Sequence, residues 1–302
     1  MRGLPRPDQP KASVIIRTYN EARHLPEVLK RLAGQDRQDF EVIVVDSGST
    51  DKTVAIAELA GARLVHIEKS QFTFGRSLNM GCEAARGDVL IFISGHCYPM
   101  NRRFVDEILK PYEADEKIAL VYGMQRGGKT TKFSEHCHFI KTFPREPMIP
   151  QEGFFCNNAN CSIRRSLWEQ RPFNEALTGL EDLEWAKWAT EQGWQAAYSA
   201  KAGVYHLHDE TWKQVFRRYE REAIALKNIL PDVSFSLFEF VRLFFHSLFL
   251  DCRYARRRRQ LTRRWKEIAA FRLLQYWGTY CGVHYHKKLT KKIKERFFYP
   301  NK

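Results

Sequence analysis

A chain of 302 residues, 44% hydrophobic and 28% charged, can bury one large core with an appendage, and its composition excludes a fibrous or largely disordered protein. Its net charge of +14 is segregated, with 22 Lys and Arg against 7 Asp and Glu in residues 211–302 but 27 against 28 before them. A near-neutral body suits an enzyme, and a basic tail suits an anionic surface.

The opening MRGLPRPDQPKAS has no apolar run, so no secretory signal is expected there. Residues 12–16 read as a β-branched strand running into Arg17-Thr18-Tyr19-Asn20. Residues 21–33 have helical spacing, with Leu25, Val28, Leu29 and Leu32 on one face. Residues 41–45 (EVIVV) predict a second strand, stopping at Asp46-Ser47-Gly48-Ser49-Thr50-Asp51. A helix over 53–59, a strand over 63–67 and a helix over 77–85 follow. Residues 89–93 (VLIFI) predict a fourth strand, ending at Ser94-Gly95-His96. Alternation of this kind predicts an α/β fold with a parallel sheet, whose ligands bind beyond the carboxyl ends of the strands. Each polar cluster falls at such an end.

Residues 126–152 read as a long loop with one helical piece, a length that tends to be functional. Order resumes over 158–168. A helix is expected over 181–192 and a strand over 195–202, before His206-Leu207-His208. The seven cysteines form an odd set without a CxxC pair, which argues for a reducing compartment.

The runs SVIIRTYNEARHL, VIVVDSGSTDKT, SLNMGCEAARGDVLIFIS, NNANCSIRRSLW, FNEALTGLEDLEWAKWA and GVYHLH, in that order, resemble the family-2 inverting glycosyltransferases of GT-A fold. The resemblance covers roughly residues 12–230 and implies a Rossmann-like, mostly parallel sheet flanked by helices, with residues 231–302 as a helical extension. It implies transfer of a sugar from a nucleotide-sugar, most often a UDP-sugar, to a hydroxyl of a glycan acceptor. The donor nucleotide would meet Thr18, Asn20, Glu21, Asp46, Ser49, Asp51, Arg76, Asn79, Ser94 and Gly95. Two of these have plainer readings: Asp46 as a turn-former and Asp51 as the cap of the helix after it. Arg76 suits a diphosphate, or is a surface arginine.

Asp182, in the ED pair of GLEDLEWA, matches the family's general base, which takes the acceptor hydroxyl's proton. Glu181 beside it, and Arg217, Arg218 and Tyr219 in QVFRRY, are expected at the acceptor or the diphosphate. The departure from the family is Ser94-Gly95-His96, where many relatives carry Asp-x-Asp for a divalent metal. His96, His206 and His208 are therefore candidates for metal or diphosphate contact, with Mn²⁺ or Mg²⁺ as the expected ion, and fixed arginines as the alternative.

Residues 233–250 (VSFSLFEFVRLFFHSLFL) approach a bilayer-spanning length, but Glu239, Arg242 and His246 interrupt them at helical spacing. A helix lying in the interface is expected, followed by Arg256–Arg259 and aromatics suited to lipid headgroups. Residues 233–302 are thus expected on an anionic membrane, with the enzyme peripheral on its inner, cytoplasmic face and its acceptor lipid-linked. No nucleic-acid motif accompanies the arginines, so that partner is not expected. The rival reading is a scaffold of the same fold that has lost its chemistry.

Overall fold

The computed structural model describes residues 3–284; the basic run KKLTKKIKER therefore lies outside the described residues. The chain packs as two compact units, the first made of residues 1–126, 143–176 and 181–207, the second of 127–142, 177–180 and 208–302. One boundary between the units falls at 207/208, and residues 127–142 group with the C-terminal helices.

The first unit is built on one sheet. Strands β1 (Ala12–Thr18), β2 (Phe40–Asp46), β3 (Arg63–His66) and β4 (Val89–Ser94) pair in parallel in the order β3-β2-β1-β4. Their continuous apolar runs mark strands covered on both faces. Helices α1 (Leu25–Ala33), α2 (Thr53–Ala60) and α3 (Phe74–Ala84) are the crossovers. From α1, Leu25, Val28, Leu29 and Leu32 enter the core with Val14, Ile16 and Val44. Gly81 lets α3 lie flush, since a Cβ there would stand 2.5 Å from Ile15 Cγ2.

Beyond β4 the sheet continues with β5 (Cys97–Pro99), β6 (Ile118–Gly127), β7 (Met148–Gln151), β8 (Asn160–Arg164) and β9 (Gln195–His206). Its order there is β4-β8-β6-β9-β5, with β7 also on β9. The pairings of β8 with β4 and β6, and of β9 with β5 and β7, are antiparallel. Helices α4 (Phe104–Ala114), α6 (Arg165–Gln170) and α7 (Glu181–Glu191) complete this unit.

The second unit is helical: α5 (Phe133–Thr142), α8 (Trp212–Ile229), α9 (Leu237–Arg257) and α10 (Leu261–His284). Capping boxes open α8 (Thr211 with Gln214) and α9 (Ser236 with Glu239). Its cores are Phe133, Ala255 and Ile268, and Val215, Tyr219 and Phe271. Among the described residues no helix is long and apolar enough to cross a membrane.

Candidate active site

The carboxyl ends of β1, β2 and β4 carry the loops that the sequence singled out, and hydrogen bonds tie these loops together. Asn20, with a left-handed backbone (φ 56°), accepts from the Thr50 amide at 2.8 Å, and its own amide donates to Ser49 Oγ. Asp51 accepts from the Thr53 hydroxyl and amide and from the Ala22 amide. Burial opposes ionisation of Asp51, but these hydrogen bonds outweigh it and lower its pKa. Asp51 therefore does the work of a cap at the start of α2 and pins the β1 loop as well.

Asp46 is buried and fully engaged. One oxygen accepts from Ser49 and Thr18 hydroxyls, at 2.5 and 3.1 Å, and the other from the Gly48 and Ser49 amides. A carboxylate offers about four acceptor positions, so the turn-forming reading describes its role. Asn79, expected at the donor pocket, is also spent. Its amide donates to Phe173 O and Glu175 and accepts from Trp168 Nε1 and the Phe173 amide, which fixes α3 to residues 168–175. Arg76, half-buried on the first turn of α3, uses one guanidinium N–H on Gln71 at 3.3 Å.

The Ser94-Gly95-His96 turn brings two histidines face to face. His96 Nδ1 donates to Glu21 Oε1 at 2.7 Å, and His206 Nδ1, at the end of β9, donates to Gln125 Oε1 at 2.8 Å. Gly95 makes this possible, because a Cβ there would press on Glu21 Cγ at 2.9 Å. With each Nδ1 turned to its acceptor, the two Nε2 atoms face each other 3.3 Å apart, within hydrogen-bond reach when one ring carries a second proton. Either a proton shared between the rings or a metal ion bound to both satisfies two facing nitrogens at that distance. Two imidazoles bound to one ion at about 2.1 Å have nitrogens roughly 3.0–3.4 Å apart, so the pair fits a shared metal ion, with Glu21 and Gln125 as the groups that orient the ligands.

At the start of α7, Asp182 accepts from the Asn158 amide at 2.6 Å and from the Leu183 amide at 2.9 Å. Burial, then the neighbouring Glu181 carboxylate, lift its pKa to about 7. Glu181, itself buried, pairs with Arg17 at 3.2 Å. The Asn158 side chain is buried, and neither its amide oxygen nor its nitrogen has a partner among the described residues. An orphaned amide beside a carboxylate poised near neutrality marks a place built to receive a polar ligand. Sequence reading missed Arg17, Gln125 and Asn158; NNANCSIRRSLW held Asn158, but nothing local distinguishes it from its neighbours.

The remaining expected residues belong to the helical unit. His208 Nδ1 donates to Glu135 at 2.6 Å, and Arg218 binds Glu135 at 2.6 Å and Glu210 at 2.8 Å. Burial works against ionised Glu135, yet the Arg218 cation and His208 overcome it and hold its carboxyl well below the usual range. Arg218 is therefore a neutralised, structural cation rather than a diphosphate ligand. The donors of Glu135, His208 and Glu210 lie within 4.8 Å of one another. Arg218 already supplies the positive charge there, so this set does not fit a metal. Tyr219 is buried with its ring edge-on to Phe271, and its hydroxyl has no partner among the described residues. Arg217, half-buried, has no ion pair among the described residues.

Residues 13–171 match the family described as glycosyl transferase family 2. The chain is 28% identical over 221 residues to the O-antigen chain rhamnosyltransferase RfbN of Salmonella typhimurium, covering 69% of this chain and 70% of that one. It is 34% identical over 182 residues to the poly(ribitol-phosphate) beta-N-acetylglucosaminyltransferase TarS of Staphylococcus aureus, covering 57% of this chain and 31% of the relative. Among solved structures it resembles the mannosyltransferase PcManGT from Pyrobaculum calidifontis in complex with GDP-Man and Mn²⁺. The TM-score is 0.63 at 17% identity, over 94% of this chain and 90% of that one. The α/β architecture is thus the GT-A fold.

Proposed function

Because this chain belongs to glycosyl transferase family 2, we propose that it is an inverting enzyme that moves a sugar from a nucleotide-sugar to a hydroxyl of a lipid-linked glycan. Asp182 carries the reading. Its carboxylate, held by the Asn158 and Leu183 amides and lifted to about 7, is matched to taking a proton at neutral pH. As it does so, the acceptor oxygen forms its bond to the anomeric carbon, and the bond to the nucleotide diphosphate breaks on the opposite face with its electron pair. Asn158 offers its unpartnered amide to the sugar or the acceptor. Arg17 pairs with Glu181 at 3.2 Å, and its charge also acts on Asp182, opposing part of the rise that burial and Glu181 cause.

His96 and His206, oriented by Glu21 and Gln125, would hold a divalent cation, Mn²⁺ or Mg²⁺, of which nitrogen donors favour Mn²⁺. When bound, that ion neutralises the charge developing on the leaving diphosphate. UDP is the nucleotide we favour, and the products belong to surface polysaccharide or related glycan synthesis, as the names of the relatives suggest.

The enzyme works as a peripheral protein at the inner face of a membrane. Phe238, Val241, Phe245 and Phe249 recur along the outer side of α9, between 42% and 74% exposed, flanked by Arg242, Arg253 and Arg256. Such a face suits an interfacial helix on anionic lipid. Seven unpaired cysteines suit the reducing side of that membrane.

Calorimetric titration with UDP, GDP, dTDP and CMP, with and without Mn²⁺, tests the donor site. One nucleotide should bind in a metal-dependent way, and His96→Ala or His206→Ala should weaken it at least about tenfold, or about 1.4 kcal/mol. Binding that ignores both metal and histidines would overturn the assigned ion site. Absence of binding under every condition would overturn the enzymatic reading.

A further inference from the structure

Helices α5, α9 and α10 line a half-open cavity of about 540 Å³, within the range that holds small ligands, and nothing in the sugar transfer just derived uses it. Its lining pairs spent charges with unspent donors. Asp251 and Arg272 form a buried bidentate pair at 2.8 and 3.0 Å, and the Arg272 guanidinium also donates to Gln275 Oε1 and Ser134 O. Asp251 therefore offers the cavity no net negative charge. The Gln275 amide nitrogen and both ring nitrogens of His138 have no hydrogen-bond partner among the described residues, and Lys141 on the wall is exposed without an ion pair. Burial, then the nearby Arg272, push His138 down to about 4, so at neutral pH it is an uncharged donor.

Two further observations define the occupant. Residues 237–284 carry 10 Lys and Arg against 3 Asp and Glu, a field that draws anions. Leu250, 41% exposed, lines the cavity and also borders Phe249 on the exposed apolar side of α9. A ligand here meets neutral donors inside, the Lys141 cation on the exposed wall and hydrocarbon at the rim. We propose that the cavity binds the phosphate-ester head of a lipid whose chain passes Leu250 onto the apolar stripe of α9. The head-binding part stands on the cavity alone; the course of the chain rests on the membrane reading of α9.

The test titrates the full-length protein with dihexanoyl phosphatidic acid below its micelle concentration, with inorganic phosphate, and with dihexanoylglycerol. Phosphatidic acid should saturate, and the other two should bind at least about tenfold more weakly, because each lacks half of the recognised chemistry. The double variant His138→Phe/Gln275→Leu keeps the shape and removes the donors. Thr142→Trp fills the cavity from its wall. Each should weaken phosphatidic acid at least about tenfold. Equal affinity for dihexanoylglycerol, phosphate binding as tight as the lipid, or indifference to both variants would overturn the proposal. Phe245→Ser/Phe249→Ser separates the two readings: unchanged vesicle partition would sink the membrane reading, while the monomer titration would still decide the cavity.

Discussion

Asp182, the base proposed for the transfer, sits where two requirements conflict: a carboxylate must ionise to act as base, and burial resists that ionisation. The folded pKa near 7 lies above the ordinary 3.8. Between those values the folded chain binds a proton that the unfolded chain has lost, so stability falls as pH rises through that window. Asp182→Asn should therefore melt higher than the parent at pH 8, by up to a few kcal/mol, and close to it at pH 4. The same substitution should abolish most transfer, about a hundredfold or more. In the parent, kcat/KM should rise with pH through about 7, an apparent value that belongs to the Glu181–Asp182 pair. A melting gain independent of pH would refute the assigned burial cost. The ED pair was legible in the sequence. Asp46 and Asn79 were legible as important but not as spent, because their four-fold hydrogen bonding comes from residues up to 96 positions away.

Among elements, α10 shows what pattern alone does not reveal. Gly278 and Gly282 lie one turn apart on the side facing α8, where a Cβ would meet Phe216 O at 2.6 Å and Glu220 O at 2.4 Å. Those partners are backbone and cannot swing aside, so the helices approach more closely than side chains allow. Gly282→Val should destabilise the helical unit by about 1–3 kcal/mol, read as a lowered urea midpoint, while an exposed Leu273→Ala should be nearly silent. Strands β1, β2 and β4 were readable because burial on both faces leaves an unbroken apolar run. The antiparallel strands were less so: Cys97–Pro99 is three residues long, and Met148–Gln151 is largely exposed. Their pairing with β9 is decided by partners about 50 to 110 residues away.

For the whole molecule, charge segregation is the property with the widest consequence. Phe245 and Phe249 are 60% and 62% exposed, and burying a phenylalanine fully is worth about 1.5–3 kcal/mol. Phe245→Ser/Phe249→Ser should lower partition onto phosphatidylglycerol vesicles by at least tenfold, roughly 1.4 kcal/mol. Raising salt should weaken parent binding further, because arginine attraction to the surface is screened over about 10 Å at 0.1 M. Partition insensitive to both changes would count against membrane association.

The sequence by itself determined the α/β class, the strand-end polar loops, the Asp182 motif and the separation of a neutral body from a basic, amphipathic tail. These are local quantities: hydrophobic period, turn chemistry and charge count. Tertiary structure decided which polar residues remain available. It consumed Asp46, Asn79 and Arg218 in internal hydrogen bonds and ion pairs, and left the Asn158 amide beside Asp182 without a partner among the described residues. It also turned His96 and His206, 110 positions apart, toward a common point. The reason is that a donor or acceptor has a fixed, small number of partners, and only the folded chain determines whether those partners come from the protein or from a ligand.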